Sequence, residues 1–122
     1  MRLSEHDIQK AFFSWCDFQP TLEKYPELRL MHAIPSGMWA KNIQIALKAK
    51  SEGLKSGVPD THLPVARKGF HGLYIEFKRD KKLYLSANQK KWFEWLRKEG
   101  NKCEVVRSTD EAIKIVEDYL GG

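Results

Sequence analysis

The stretch that decides the fold covers residues 57–78. It begins Gly57-Val58-Pro59-Asp60 and ends Leu73-Tyr74-Ile75-Glu76-Phe77-Lys78. The second segment is the clearest strand in the sequence, because apolar and polar side chains alternate along it. Residues 61–66 are predicted to form a preceding short strand, with residues 67–72 as the turn. The two strands are therefore expected to pair as an antiparallel hairpin.

This hairpin is expected to bring two carboxylates together. Successive strand side chains point to opposite faces, so Glu76 and Lys78 share one face. Fifteen residues separate Asp60 from Glu76, which is the length that a short strand, a turn and a return strand consume. Taken alone, Glu76 and Lys78 are more typical of a solvated pair on the wet face of an amphipathic strand than of a functional site.

Two converging carboxylates favour a metal site. Hard oxygen ligands suit Mg²⁺ or Mn²⁺, which keep several waters and accept phosphate oxygens in their remaining positions. Such a metal polarises a phosphate and activates a water, while Lys78 lies where it could orient that water or balance developing charge. The hairpin by itself thus indicates hydrolysis without specifying the substrate.

The other elements predict an α/β fold. A helix capped by Ser4 extends to about Phe18, and Pro20 and Pro26 bracket a loop. A strand at residues 28–34, a helix at 39–52, a helix capped by Ser86, a strand at 102–107 and a last helix capped by Ser108 complete the order. This order predicts one domain over residues 1–122, with a mixed sheet covered by helices.

Composition limits the class of protein. At 122 residues and 42% hydrophobic content, one core is feasible without disulfides. Cys16 and Cys103 match no metal-binding spacing, so we expect reduced thiols and a soluble cytoplasmic protein. No stretch approaches the ~20 apolar residues that span a bilayer. The net charge of +5 suits a polyanionic partner, although it is equally typical of a solvated basic surface.

Two polar residues at helix starts have more than one interpretation. Glu5 precedes Ile8 and Phe12 at helical spacing, so it shares their inward face. An acid in the first turn is also favoured by the helix dipole alone. Gln89 lies three residues after Ser86 and is predicted to complete a capping box.

Longer blocks of the sequence resemble a known family. Pro59-Asp60 followed by Glu76-Phe77-Lys78 resembles the signature of the PD-(D/E)XK nuclease superfamily. Residues 32–37, 47–60, 75–78 and 85–89 resemble, in order, the successive blocks of the stand-alone phage and bacterial VRR-NUC domain. The resemblance covers nearly the whole chain and implies a restriction-endonuclease-like core with a mixed four-stranded sheet flanked by helices.

The resemblance also implies an active site and a substrate. It implies that Asp60, Glu76 and the backbone carbonyl of Phe77 bind Mg²⁺ or Mn²⁺, that Lys78 is the catalytic lysine, and that Glu5 and Gln89 have auxiliary roles. The implied activity is that of a homodimeric, structure-selective DNA endonuclease acting on branched DNA, four-way (Holliday) junctions in particular. The basic residues predicted to contact DNA phosphates are Arg67, Lys68, Lys81 and Lys82.

Alternatives of a different class remain open from the sequence. One is a non-catalytic nucleic-acid-binding module, which two acids near an anionic backbone disfavour. Another is a nuclease for linear duplex DNA or RNA, which would use the same metal site. Trp39 and Ile43 on the second predicted helix are candidates for the dimer surface, or else belong to the core.

Overall fold

A mixed four-stranded sheet positions the hairpin. The structure is a computed structural model that describes residues 3–35, 42–81 and 84–121. Its strands are β1 (His32–Ala33), β2 (Thr61–Leu63), β3 (Leu73–Phe77) and β4 (Lys102–Val106), in that order across the sheet. β1, β2 and β3 pair antiparallel, whereas β4 runs parallel to β3. The predicted mixed sheet and its antiparallel hairpin are confirmed.

Helices flank this sheet, as predicted. They are α1 (Glu5–Asp17), α2 (Gln19–Lys24), a 3₁₀ helix (Pro26–Leu30), α3 (Ile43–Ser51), α4 (Ala87–Lys98) and α5 (Thr109–Leu120). α1 contacts α5 and β3, and α5 also contacts β4. The largest buried side chains include Phe12 of α1 and Phe77 of β3, whose rings lie 5.6 Å apart between centroids. The core therefore forms where the apolar face of β3 meets these two helices.

The three helix starts predicted from a serine cap are also confirmed. Ser4 and Ser86 each form a reciprocal capping box with the residue three positions later, Asp7 and Gln89 respectively. The Ser108 hydroxyl accepts a hydrogen bond from the backbone N–H of Glu111 at 3.1 Å. Each cap satisfies backbone donors that a helix leaves unpaired at its start.

The segment between α1 and β1 differs from its prediction. The expected loop between Pro20 and Pro26 is helical, because proline is tolerated in the first turn of a helix and both prolines lie there. The expected strand at residues 28–34 is reduced to β1. Leu28 and Met31 are both buried, and their separation of three residues matches the 3₁₀ repeat rather than strand alternation.

The second predicted helix is shorter and more exposed than expected. Asn42 caps α3 through the backbone N–H of Ile45, so the helix begins at Ile43 and not near Trp39. Trp39 itself and the loop residues Ser36 to Met38 lie outside the described residues. α3 buries no side chain, and Ile43 is 73% exposed. The alternative that assigned Ile43 to the core is therefore wrong.

Two further expectations concern the thiols and membranes. Cys16 and Cys103 are both buried and form no disulfide, as predicted. Across the described ranges, no helix has the length and apolar character needed to cross a membrane.

Candidate active site

The hairpin register brings the two predicted carboxylates to one cleft. Thr61 pairs with Ile75, which sets Asp60 beside the end of β3. One carboxylate oxygen of Asp60, Oδ2, accepts a hydrogen bond from the backbone N–H of Phe77 at 2.8 Å. The cleft has a volume of about 560 Å³, and its lining comprises Glu5, Ser56, Gly57, Val58, Asp60, Glu76, Lys78, Tyr84, Ser86 and Gln89. Asp60 is thus anchored to the strand that carries Glu76.

Glu76 is buried, with only 3% of its surface exposed, so the wet-face interpretation does not describe it. The Gln89 side-chain amide donates to Glu76 Oε2 at 3.1 Å. Lys78 Nζ donates to Gln89 Oε1 at 3.1 Å and lies 3.8 Å from Glu76 Oε2. The second oxygen of Glu76, Oε1, is buried without a hydrogen-bond partner in the described part of the chain.

The two carboxyl groups perturb each other's ionisation. Burial, followed by the negative charge of Asp60, raises the pKa of Glu76 to about 8, against the opposing charge of Lys78. Burial also raises the pKa of Asp60, against the lowering by the Phe77 N–H. Adjacent buried carboxylates resist joint ionisation. Burial and the charge of Asp60 therefore favour the protonated form of Glu76.

The donor set fits a hard divalent cation. No three His, Cys, Asp or Glu side chains within the described ranges converge as a ready-made metal cage. Mg²⁺ needs no such cage, since it is bound through one or two carboxylates together with waters and substrate oxygens. The unpartnered Oε1 of Glu76 and the repulsion between the two carboxyl groups are both features that a bound cation would relieve. The predicted ligand role of the Phe77 carbonyl stays a prediction.

Glu5 and Gln89 both reach this cleft. Glu5, in the first turn of α1, lines it, and its negative charge contributes to the raised pKa of Asp60. Gln89 Oε1 accepts from the Ser86 backbone N–H at 2.8 Å, while its amide nitrogen donates to Glu76. One side chain therefore caps α4 and contacts the buried acid.

Comparison with known proteins identifies the family. The VRR-NUC domain family matches residues 2–110. The chain belongs to the VRR-NUC family. A solved structure described as a VRR_NUC domain protein superposes with a TM-score of 0.80 at 31% sequence identity, covering 98% of this chain and 89% of that one. No curated protein matches. Membership indicates a nuclease-type domain with nucleic acid as its partner.

The VRR-NUC hairpin does not bring every predicted DNA contact to the cleft. Arg67 and Lys68 lie in the turn at the opposite end of β3 from Glu76. Arg67 pairs with Glu27 at 2.7 Å, and Lys68 Nζ donates to the Gly121 carbonyl at 2.6 Å. Lys81 is exposed just beyond β3, and Lys82 lies outside the described residues. All four DNA contacts stay predictions.

Other residues of the VRR-NUC cleft were not anticipated from the sequence. Tyr84 lines it with 73% of its surface exposed, and Ser56 and Val58 line it beside Gly57. The residues flanking Gly57 could have been found from their position next to the Asp60 segment. Tyr84 belongs to a loop without periodicity, so no sequence pattern pointed to it.

Proposed function

We propose that this VRR-NUC domain is a divalent-metal-dependent DNA endonuclease that hydrolyses phosphodiester bonds. The observation that carries the proposal is the buried pair of Asp60 and Glu76, linked to Lys78 through Gln89. A protein that only binds DNA gains nothing from two buried acids near an anionic backbone, because like charges repel. A hydrolase gains a place for a cation beside the phosphate.

The proposed metal ligands are Asp60, Glu76 and the backbone carbonyl of Phe77, with Mg²⁺ or Mn²⁺ as the ion. When bound, such an ion supplies Lewis-acid polarisation of the phosphate and of a nearby water. The hydrogen bond from the Phe77 N–H holds the Asp60 carboxylate in place before any ligand arrives. Preorganisation of this kind avoids a reorganisation cost during reaction.

Lys78 is the proposed catalytic lysine. Its side chain is only 13% exposed, and its ammonium is fixed by Gln89 and by attraction to Glu76. A fixed ammonium in a poorly hydrated cleft stabilises the negative charge that develops on the phosphate oxygens and can orient the attacking water. Glu5 and Gln89 are proposed as auxiliary residues. Gln89 fixes the positions of Lys78 and Glu76 by hydrogen bonds to both.

We further propose branched DNA, four-way junctions in particular, as the substrate, and a homodimer as the active form. A two-fold symmetric junction cut on two strands is matched by two sites related by a two-fold axis. On α3, Ile43 and Leu47 lie one helical turn apart and are 73% and 59% exposed. This apolar pair supports α3 as the dimer surface, because the described chain leaves it uncovered. The cytoplasmic location stays a prediction.

A cleavage assay tests this proposal. Purified chain is incubated with labelled four-way junction, linear duplex and RNA, each with Mg²⁺, Mn²⁺ or EDTA. We expect metal-dependent cuts in the junction and the least cleavage of RNA. Cleavage of linear duplex or RNA as fast as cleavage of the junction would show that the enzyme is not selective for branched DNA. Binding without any metal-dependent cleavage would identify a non-catalytic nucleic-acid-binding module.

A further inference from the structure

A second concave surface adjoins the active-site cleft. We call it the α3–α4 groove; its volume is about 570 Å³, and its lining comprises Ala46, Lys50, Leu54, Lys55, Ser56, Asn88, Lys91, Trp92 and Trp95. None of the carboxylates assigned to the active site lines it. The groove is therefore chemically different from the active-site cleft.

Its aromatic wall comes from one face of α4. Asn88, Lys91, Trp92 and Trp95 follow the spacing of a single helix face. The rings of Trp92 and Trp95 are in edge-to-face contact, with centroids 5.7 Å apart and an interplanar angle of 70°. Trp92 is half-buried, whereas Trp95 is 53% exposed. An indole supported on one side and open on the other is a stacking platform.

Its rim is cationic. Lys50, Lys55 and Lys91 are exposed, and none forms an ion pair with a residue in the described ranges. The lining also contains no acidic side chain. The three lysines give the groove a positive charge that complements the phosphates of a nucleic-acid strand.

The groove is continuous with the cleft. Ser56 lines both, and its hydroxyl accepts a hydrogen bond from the Asn88 side-chain amide at 3.2 Å. Gly57 packs so closely on Asn88 that a Cβ placed there would lie 2.7 Å from the Asn88 carbonyl carbon. Gln89, the next residue of α4, lines the cleft. A strand held in the groove would thus pass directly to Asp60 and Glu76.

We propose that the α3–α4 groove binds unpaired nucleotides of the strand whose phosphate enters the active-site cleft. Bases stack on the exposed indole of Trp95, supported by Trp92, and the three lysines contact the flanking phosphates. Such binding tolerates any sequence, because every base has a π-face. The proposal rests on the nuclease function for the identity of the strand, and it extends that function with a site for single-stranded segments at a branch.

Binding in EDTA separates this proposal from cleavage. Two DNAs share one duplex, and only the first carries an unpaired tail; affinities of the full chain are measured by fluorescence anisotropy. Trp95→Ala is expected to weaken binding of the tailed DNA about tenfold, the size of one lost base–aromatic stack, and to leave the blunt duplex unchanged. Trp95→Phe retains the tail preference. Trp95→Leu loses it, because leucine is apolar but has no ring.

Phe18→Ala is the matched control, because Phe18 is 60% exposed and lies outside the groove. It is expected to bind both DNAs like the unchanged chain. A Trp95→Leu variant with full tail preference would overturn the proposal. So would a change of oligomeric state in Trp95→Ala, measured by sedimentation velocity, because it would identify the groove as an interface between copies.

Failure of the groove proposal can be distinguished from failure of the nuclease proposal. If the chain shows a Trp95-dependent tail preference but never cleaves DNA with Mg²⁺ or Mn²⁺, the groove proposal is supported and the nuclease proposal is wrong. If the chain cleaves DNA with metal but its tail preference is unaffected by Trp95→Ala, the nuclease proposal is supported and the groove proposal is wrong.

Discussion

The active-site cleft and the α3–α4 groove meet at Ser56, yet they are built differently. In the cleft, Asp60 and Glu76 are held by hydrogen bonds from Phe77 and Gln89. In the groove, Trp95 and the lysines project into solvent and make no ion pairs with described residues. Buried polar groups in fixed positions suit chemistry, because their electrostatic effect needs no reorganisation. Exposed aromatic and cationic groups suit binding that does not depend on sequence.

Removing a group from the cleft should produce the largest effect. Asp60→Asn or Lys78→Ala is expected to lower turnover at least about a hundredfold, the size typical for loss of a preorganised electrostatic element. The measurement is single-turnover cleavage of a four-way junction. Binding of tailed DNA in EDTA should persist in both variants, because the groove is unaltered. Normal cleavage by both would show that the catalytic centre has been wrongly assigned.

Gly57 tests whether the two regions are mechanically joined. It has φ of +92°, and any Cβ would collide with the backbone of Asn88. Gly53 has a similar φ of +104°, but a Cβ at Gly53 would meet nothing within 4 Å. We expect Gly57→Ala to cost at least about 1 kcal/mol more unfolding free energy than Gly53→Ala, since overpacking adds to the shared backbone strain.

Urea denaturation of both variants measures this difference. Gly57→Ala should also weaken both cleavage and tail binding, because Asn88 must shift. Equal losses of stability in the two variants would mean that the loop does not depend on its contact with α4.

The buried acid predicts a pH dependence of stability without metal. Burial and the charge of Asp60 raise the pKa of Glu76 from 4.5 to about 8 in the folded chain. Between pH 4.5 and pH 8 the folded chain therefore binds more protons than the unfolded chain, and the unfolding free energy falls as pH rises. Burial lowers the pKa of His62 from its ordinary value of 6.5, so His62 affects the pH dependence of stability mainly below pH 6.5. From pH 6.5 to 8, unfolding free energy in EDTA should fall by up to about 1.4 kcal/mol per pH unit.

Glu76→Gln is the control for that slope, because the amide cannot titrate. Its unfolding free energy should be nearly constant over the same window. An equal slope in Glu76→Gln would assign the proton to another group.

Gln89 should have the smallest effect, and it separates capping from catalysis. Gln89→Ala removes both the oxygen that accepts from Ser86 and the donor to Glu76, and it adds no charge to the cleft. We expect the lost cap to lower the unfolding free energy by about 1 kcal/mol, and turnover to fall about tenfold because Lys78 and Glu76 lose their shared hydrogen-bond partner. A large loss of stability with full activity would instead assign Gln89 to capping alone.

Much of the cleft followed from local patterns in the sequence. Alternation identified β3, and the spacing of Asp60 and Glu76 matched a hairpin whose register depends on that alternation. The helix starts at Ser4 and Ser86 could be predicted because each capping box involves two residues that lie three positions apart in the sequence. The functions of these residues stay predictions.

The features that were predicted wrongly or missed depend on contacts between residues distant in sequence. The burial of Glu76 comes from the packing of residues such as Gln89, thirteen positions away, and strand alternation alone suggested a wet face. The short β1 followed from Leu28 and Met31 turning into the core. The groove requires the loop before Gly57 to pack on α4, and no periodic pattern encodes such a contact.

Mn²⁺ binding tests most directly whether a cation replaces the proton that the raised pKa of Glu76 favours. Mn²⁺ binding to the full chain is measured by calorimetry near pH 7 in two buffers of different ionisation enthalpy. Because Glu76 with a pKa of about 8 is mostly protonated there, we predict release of close to one proton per chain. Asp60→Asn should abolish this binding. Mn²⁺ binding that releases no proton, or that is unchanged in Asp60→Asn, would contradict the metal centre.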